Sequence, residues 1–266
     1  MPVVDTADRT EPVRAEPVDP DEVRRWGEGL AGRPAALLLA RAAERFPPIR
    51  FGTAFGPEGC VLLDIIGRHR LPIEVFTLDT GLLFPETYEL WRRFEQRYGL
   101  VIRAVRPPLT VDEQAAVWGD RLWERDPDRC CGLRKVAPLR VALSGARAWV
   151  TGIRREQTRD RASARLVEWD AHHGVVKVNP LAHWTSAEVW AHLREHHVPF
   201  NPLHERGYSS IGCVPCTTPV RPGEDPRAGR WRGHGKTECG LHARRGGALL
   251  SFTHQAESAV AETVTR

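Results

Sequence analysis

Residues 49–68 read IRFGTAFGPEGCVLLDIIGR, which is a strand-like run, a glycine-bearing turn and an apolar helical run. The alternation continues with strand-like runs at 73–78 and 100–105 and a helical run at 85–98 between them. Strands that alternate with helices usually run parallel in one sheet covered by those helices. The sequence therefore predicts an α/β domain with a mostly parallel sheet.

The same reading extends in both directions along the chain. Pro20 and Pro34 are typical of first helical positions and predict two helices before the first strand. Downstream we expect a helix over 131–143, a strand over 147–153 and a hairpin over 165–178 that turns at His172, His173 and Gly174. The sequence TSAE at 185–188 is a capping box and predicts a helix to about His196.

Length and composition predict one domain with two tails. A chain of 266 residues with 41% apolar residues can bury the core of one ordinary domain. Residues 1–18 lack apolar periodicity and are expected to form a disordered arm. We assign 19–218 to the α/β domain and 219–266 to a flexible tail, because proline, glycine and charged residues dominate after Pro199.

Composition also narrows the function classes. The sequence has no leader-like apolar segment and no apolar run of membrane-spanning length, which predicts a soluble cytoplasmic protein without a membrane partner. The net charge of +4 comes from 38 basic and 34 acidic residues, so nucleic-acid binding is not indicated. Six cysteines without a secretory context favour metal or thiol chemistry over disulfides.

Four of the cysteines form two pairs, Cys130 with Cys131 and Cys213 with Cys216. Buried thiols without a metal, a four-cysteine zinc site and thioredoxin-type exchange at the second pair are all compatible with the spacing. Adjacent cysteines are an uncommon pair of ligands for one tetrahedral ion, whereas neighbouring iron atoms of a cluster give each thiolate its own target. The pattern favours an iron–sulfur site. Cys60 begins an apolar run and is predicted to lie in the core.

Cys239 stands apart in the sequence ECGLH at 238–242. The thiolate is the nucleophilic form of cysteine, and nearby cations favour it. Lys236, His242, Arg244 and Arg245 are the neighbouring candidates. An incidental surface thiol is the alternative to a catalytic one.

Three predicted strand ends carry groups that suit an anion. Gly56 lies in the turn before a helix, where backbone N–H groups favour phosphate. Asp79, Thr80 and Gly81 follow the second strand, and Arg154 and Arg155 follow a later one. These loops should meet at the carboxyl edge of the sheet, where open α/β folds bind ligands. Residues 221–231 carry three further arginines that could close over an anion as a lid.

Five stretches together resemble a known family. They are LDTGLLFPET at 78–87, CCGLRKVAPL at 130–139, TGIRREQTRDRA at 151–162, GCVPCT at 212–217 and GRWRGHGKTECGLH at 229–242. In this order they are similar to the iron–sulfur branch of the phosphoadenylyl- and adenylyl-sulfate (PAPS and APS) reductases. The likeness runs from about residue 49 to 242.

The resemblance implies a PP-loop-like, Rossmann-like domain that binds an adenine nucleotide. It implies thioredoxin-dependent reduction of APS to sulfite and AMP through a cysteine S-sulfonate, in sulfate assimilation and cysteine biosynthesis. Cys239 matches the nucleophile, and the four paired cysteines match the ligands of a [4Fe-4S] cluster. The matching phosphosulfate contacts are Lys135, Arg227, Arg230 and His242, with Arg154 or Arg155 assisting.

The resemblance leaves alternatives. The loop at 53–59 reads TAFGPEG, where relatives read like SFSGAED, so a serine and the last acidic residue are missing. A PAPS reductase or an enzyme accepting both nucleotides is the nearest alternative, although the cysteine pairs favour APS. More remote are a PP-loop ATP pyrophosphatase and a zinc-bound nucleic-acid-binding module. A homo-oligomer is possible.

Overall fold

A computed structural model describes residues 18–236 and 238–242. Two helices, α1 (Pro20–Glu28) and α2 (Ala35–Arg45), precede the first strand as the sequence predicts. Asp19 caps α1 by accepting a 2.9 Å hydrogen bond from the N–H of Asp21. The predicted arm lies outside the described residues except for Val18, which packs against the core.

Six strands form one sheet in the order β3-β2-β1-β4-β6-β5. They are β1 (Ile49–Thr53), β2 (Glu74–Leu78), β3 (Ile102–Val105), β4 (Ala148–Val150), β5 (Val167–Asp170) and β6 (Val175–Val178). All neighbouring pairs are parallel except β5 with β6. The prediction of a mostly parallel sheet with a hairpin over 165–178 is therefore confirmed.

Helices connect and cover the strands. They are α3 (Pro57–His69), α4 (Pro85–Tyr98), α5 (Val111–Trp118), α6 (Leu122–Arg125), α7 (Pro127–Cys131), α8 (Ala137–Leu143) and α9 (Ser186–Glu195). The sequence analysis missed α5 and α6. The helix predicted over 131–143 begins earlier, at Pro127, and contains a π-helical segment, Gly132–Val136, between α7 and α8.

The core lies between α2 and α3 and the sheet. Leu39, Phe51, Leu62 and Ile66 are completely buried there. Cys60 is also completely buried, which confirms its predicted place in the core, and burial raises the pKa of its thiol. No helix of the described residues is long and apolar enough to span a membrane.

The parallel topology brings the candidate loops together. Because β1 lies between β2 and β4 and runs parallel to both, the loops after these three strands open at the same edge. Gly56, Asp79 and Arg154 stand in these loops, as the sequence predicts. This edge is where ligands bind in open α/β sheets.

Candidate active site at the carboxyl edge of the sheet

Four thiols surround one cavity. Cys130 and Cys131 end α7, while Cys213 precedes and Cys216 ends a short 3₁₀ turn, Val214–Cys216. The lining of the cavity consists of Leu82, Trp123, Pro127, Cys130, Cys131, Arg134, Lys135, Cys213 and Cys216. The two sequence pairs, about eighty residues apart, thus converge on one place; we call it the thiol cavity.

Local structure fixes the first pair of thiols. Asp126 accepts a 2.9 Å hydrogen bond from the N–H of Arg129 at the start of α7, and Pro127 occupies its first position. The π-helical segment then follows Cys131 directly. Such segments often occur at functional sites. Here the segment carries Arg134 and Lys135, and both residues line the cavity.

The loop after β2 holds the second pair. Cys213 pairs with Leu83 in an antiparallel bridge, and the N–H of Val214 donates a 2.8 Å hydrogen bond to the carbonyl of Leu82. The Thr80 hydroxyl lies 3.3 Å from the Cys213 sulfur. Thr80 therefore supports a cavity thiol, a contact that the sequence analysis did not anticipate.

Asp79 and Gly81 shape the same loop. The Asp79 carboxylate accepts hydrogen bonds from the Tyr88 hydroxyl at 2.7 Å, the Arg106 Nε at 3.0 Å and the N–H of Gly81 at 3.1 Å. Gly81 has a φ of 70°, a conformation that favours glycine. The structure thus places Asp79, Thr80 and Gly81 in the wall that carries Cys213.

Burial and the charges of the neighbouring thiols both act on the cysteines of the cavity. Burial, together with the charges of Cys131, Cys213 and Cys216, raises the pKa of Cys130 to about 12. Burial and the neighbouring thiols likewise raise the pKa of Cys216 to about 11. Four deprotonated sulfurs would therefore need a positive partner in the cavity.

Lys135 connects the thiol cavity to Cys239. Burial acts to lower the pKa of Lys135, but the charges of Cys213, Cys131 and Cys239 raise it above its ordinary value overall. The ammonium group therefore lies within electrostatic reach of both the cavity thiols and the tail thiol. The assignment of Lys135 as a phosphosulfate contact, which the resemblance implies, stays a prediction.

The described part of the tail packs on the domain. Trp231 is 2% exposed, and its backbone N–H donates a 3.1 Å hydrogen bond to the carbonyl of Cys216. Thr217 pairs with Arg230 in an antiparallel bridge. Lys236 forms an ion pair with Asp128 of α7. Residues 219–236 thus lie against the cysteine-bearing elements, and the flexibility expected for 219–266 stays a prediction.

Cys239 is partly buried between two contacts. Before it, the Glu238 carboxylate accepts hydrogen bonds from Arg161 at 2.8 Å and Arg227 at 3.3 Å. After it, the ring of His242 stacks on Trp149, with centroids 5.1 Å apart and planes inclined by 17°. Arg161, Trp149 and Glu238 were not assigned as site residues from the sequence. Arg161 and Glu238 lie within the family-like stretches, but their pairing over 77 positions has no local signal.

The two arginines after β4 point to different places. The Arg154 Nε donates a 2.7 Å hydrogen bond to Glu58 in the first turn of α3, next to Gly56. The Arg155 Nε instead donates a 2.7 Å hydrogen bond to the carbonyl of Ala164. Only the former therefore borders the loop that was expected to hold phosphate.

Packing explains why the unusual loop at 53–59 ends in a glycine. A Cβ atom on Gly59 would lie 2.7 Å from the Thr53 hydroxyl, so an acidic side chain does not fit there without a shift. The same hydroxyl accepts a 3.0 Å hydrogen bond from the N–H of Phe55. The acidic residue of this stretch is Glu58, which forms an ion pair with Arg154.

The sheet and its ligand edge define a Rossmann-like α/β domain of the PP-loop kind. Residues 48–219 match the model of the phosphoadenosine phosphosulfate reductase domain. The chain belongs to this family, whose members are oxidoreductases acting on sulfur.

Individual relatives agree with this assignment. An adenosine 5′-phosphosulfate reductase of Salinibacter ruber is 50% identical over 192 residues, covering 72% of this chain and 76% of the relative. A phosphoadenosine 5′-phosphosulfate reductase of Gloeobacter violaceus is 48% identical over 224 residues, covering 83% and 91%. The crystal structure of a PAPS reductase of Candida auris in a phosphate complex superposes with a TM-score of 0.69 at 32% identity, covering 76% of this chain and 98% of that one.

Proposed function

We propose that this chain reduces APS to sulfite and AMP with electrons from thioredoxin, as a cytoplasmic enzyme of sulfate assimilation and cysteine biosynthesis. The observation that carries the proposal is the cavity on which Cys130, Cys131, Cys213 and Cys216 converge together with Lys135. The similarity to named APS reductases supports the substrate.

The reaction divides into two thiol steps. The Cys239 thiolate attacks the sulfur of APS; an S–S bond forms, the S–O bond to the phosphate breaks, and AMP leaves with the electron pair. A thioredoxin thiolate then attacks the Cys239 sulfur, which releases sulfite with the electron pair of the broken S–S bond. The second thioredoxin thiol resolves the mixed disulfide, so thioredoxin is oxidised and the Cys239 thiolate is restored. Two electrons thus reduce sulfate-level sulfur to sulfite.

The cations of the site bind and orient the anion. We assign Lys135 and Arg230 to the sulfonate group, because the charges of Cys239 and Arg230 both act on the Lys135 ammonium. Arg227 flanks the thiol from the tail as a further cation, and His242, whose ring stacks on Trp149, contacts the anion as a neutral hydrogen-bonding group. Gly56 at the start of α3 presents backbone N–H groups to the nucleotide phosphate, and Arg154 borders the same loop. Fixed cations favour the charge that develops on the leaving phosphate.

The thiol cavity fits a [4Fe-4S] cluster. Four cysteines line it, and Arg134 and Lys135 supply positive charge beside them. Cys130 and Cys131 are adjacent, which suits the neighbouring iron atoms of a cluster better than one tetrahedral zinc ion. Cys130, Cys131, Cys213 and Cys216 would hold the cluster, which when bound would supply an electrostatic field at the substrate site instead of electrons.

PAPS reduction is the second candidate, and one observation favours it. A relative with 48% identity over 91% of its own length carries the name phosphoadenosine 5′-phosphosulfate reductase. The four paired cysteines favour APS, since the resemblance associates them with the APS branch. Activity on both nucleotides is tested by the same assay.

The test is sulfite release from purified protein with APS or PAPS, thioredoxin and a thioredoxin-reducing system. We expect sulfite and AMP in equal amounts from APS, and no turnover by Cys239→Ser. Iron and sulfide analysis of the same preparation tests the cluster. Turnover with PAPS but not with APS would show that PAPS is the substrate. Zinc in place of iron would contradict the proposed iron–sulfur cofactor. ATP hydrolysis to pyrophosphate without sulfite release would support the PP-loop ATP pyrophosphatase.

A further inference from the structure

We propose that Arg161 and Trp149 form a two-point seat for the tail, positioning Cys239 by holding the residue before it and the residue three positions after it. The seat's role in catalysis rests on the proposed function of Cys239. The seat itself is a structural claim about tail docking. Neither residue carries an assigned role from the family resemblance.

The first point of the seat is an ion pair in a partly enclosed place. Arg161 Nη2 donates a 2.8 Å hydrogen bond to Glu238 Oε2, and the two side chains are only 14% and 23% exposed. Arg161 is oriented by its own loop, because Nη1 donates a 2.6 Å hydrogen bond to the Gln157 side chain. The Gln157 oxygen also accepts a 3.1 Å bond from the N–H of Arg154. Arg161 thus belongs to the loop after β4, and its contact with Gln157 does not involve the tail.

The second point lies on the sheet itself. Trp149 is the central residue of β4, and its ring carries the His242 ring at 5.1 Å. His173 meets the same indole edge-on at 5.2 Å, and the Lys177 ammonium lies 5.6 Å from its centre. Leu241 packs against the apolar group around Trp149. A stacked ring and an apolar side chain hold this end of the segment.

The neighbouring charges explain why the second point is a stack and not an ion pair. Burial lowers the pKa of His242 well below its ordinary value, and the positive charges of Lys177, Arg161, His173 and Arg227 act in the same direction. The His242 ring on Trp149 is therefore neutral at physiological pH. It contributes stacking and packing, which are insensitive to salt, whereas the Arg161–Glu238 pair is electrostatic.

Contacts at both Glu238 and His242 fix the segment between them, whereas a single contact would leave this segment free to rotate. Cys239 and Gly240 lie between them, and Gly240 has a φ of 88°, which places a sharp turn next to the nucleophile. Fixing both ends of this turn defines where the sulfur stands relative to Lys135. Attack on APS needs this position, since a misplaced nucleophile loses much of its rate. Reduction of the Cys239 S-sulfonate by a protein thiol needs access instead.

The proposal therefore predicts opposite effects on two measurable rates. Loosening the seat should speed the reaction of Cys239 with an external thiol reagent. It should slow the transfer of the sulfonate group from saturating APS. It should not slow the reduction of a preformed Cys239 S-sulfonate by dithiothreitol.

The variants separate three effects: the loss of a contact of the seat, the loss of a charge, and a failure to fold. Arg161→Gln and Trp149→Leu each remove one point, and Arg161→Lys and Trp149→Phe are the conservative partners. His242→Ala removes the second point from the tail side and leaves the sheet intact if Trp149→Leu fails to fold. Arg159→Gln is the matched control, because Arg159 is exposed on the same short turn, Arg159–Arg161.

The first readout uses iodoacetamide on the full-length holoenzyme without nucleotide, with Cys239 modification followed by peptide mass spectrometry. We expect Arg161→Gln to raise the alkylation rate about tenfold, as for loss of one charge-assisted hydrogen bond. Arg161→Lys and Arg159→Gln should stay near the wild-type rate. Glu238→Gln combined with Arg161→Gln should be no faster than either single variant, since both remove the same pair.

The second readout is single-turnover formation of the Cys239 S-sulfonate from saturating APS. Arg161→Gln and Trp149→Leu should slow it, and Trp149→Phe should retain most of the wild-type rate. Unchanged alkylation in Arg161→Gln and His242→Ala, or an equal rise in Arg159→Gln, would overturn the seat. Absence of any S-sulfonate in the wild type would overturn the proposed function and leave the alkylation result to stand alone.

Discussion

The Nε of Arg134 donates a 2.6 Å hydrogen bond to the carbonyl oxygen of Thr80, and this bond joins the two halves of the thiol cavity. Arg134 belongs to the segment that follows Cys131, and Thr80 lies 3.3 Å from the Cys213 sulfur. Arg134 is 3% exposed, and its Nη1 also donates a 3.0 Å bond to Gln114. One guanidinium group therefore connects the segment after Cys131 to the loop that contacts Cys213.

Replacing Arg134 with leucine should reduce the iron bound per chain to less than half. The change leaves the buried Thr80 carbonyl and Gln114 side chain without this donor, at about 1–3 kcal/mol for each unsatisfied group. Iron analysis and thermal unfolding measure the effect. Arg140→Leu, on the exposed side of α8, is the control and should keep the wild-type iron content. Full iron content in Arg134→Leu would contradict the structural role.

Removing the charge of Lys135 should lower kcat/KM for APS roughly 10²–10³-fold, the usual effect of losing one electrostatic contact to a developing charge. The Lys135 ammonium is within electrostatic reach of Cys239. Steady-state sulfite release by Lys135→Gln measures the effect, and the iron content should remain. Lys135→Arg keeps the charge and should retain more activity. Equal loss in both variants would indicate that shape, and not charge, matters at this position.

Replacing Gly212 with alanine should raise the KM for APS several-fold. An added Cβ would collide with the guanidinium group of Arg230, which would then have to move away from its place beside Lys135. Steady-state kinetics measure the effect. Gly235→Ala is the control, because an added Cβ there meets no atom within 4 Å. An unchanged KM in Gly212→Ala would remove Arg230 from the substrate site.

A buried carboxylate far from the site should make stability depend on pH. Asp64 is completely buried and accepts 2.8 Å hydrogen bonds from Tyr98 and His192. It also forms an ion pair with Arg68 at 2.9 Å. Burial acts to raise the pKa of Asp64, but the hydrogen bonds of His192 and Tyr98 and the charge of Arg68 lower it overall.

A lowered carboxyl pKa in the folded state means that the stabilisation is present above the unfolded-state pKa of about 3.9 and is lost as the pH falls through the folded value. Asp64→Asn should therefore be less stable than the wild type by about 1–3 kcal/mol at pH 7. The difference should shrink towards pH 3. Urea unfolding at several pH values measures it, and a difference that is constant with pH would contradict the assignment.

The local patterns predicted most of the fold because they are local properties. The strand–turn–helix signal at 49–68 and the capping box at 185–188 both lie at the observed positions, in β1–α3 and at the start of α9. Residues 111–118 form α5 behind a complete Thr110–Glu113 capping box, which the sequence analysis overlooked. The π-helical segment after Cys131 carries no local signal, because tertiary contacts of Arg134 hold it.

The sequence predicted those parts of the site that residue type and spacing indicate. It did not predict contacts between residues that lie far apart along the chain. The paired cysteines predicted a common centre, and the structure brings all four to one cavity. Trp149 looked like an ordinary strand residue, and its role as the platform for His242 exists only because the tail folds back over the sheet. The predicted substrate contact of Asp79 stays a prediction, and no sequence signal indicated that its carboxylate accepts hydrogen bonds from Tyr88 and Arg106.

The most direct test of the account is the intact mass of the holoenzyme after anaerobic incubation with APS, and separately with PAPS, without any thiol reductant. The account predicts one sulfite-sized adduct per chain from APS, on the peptide that contains Cys239, with one AMP released for each adduct. Cys239→Ser should form none. An adduct on a different cysteine, or no adduct from either nucleotide in protein that retains its cluster, would contradict the account.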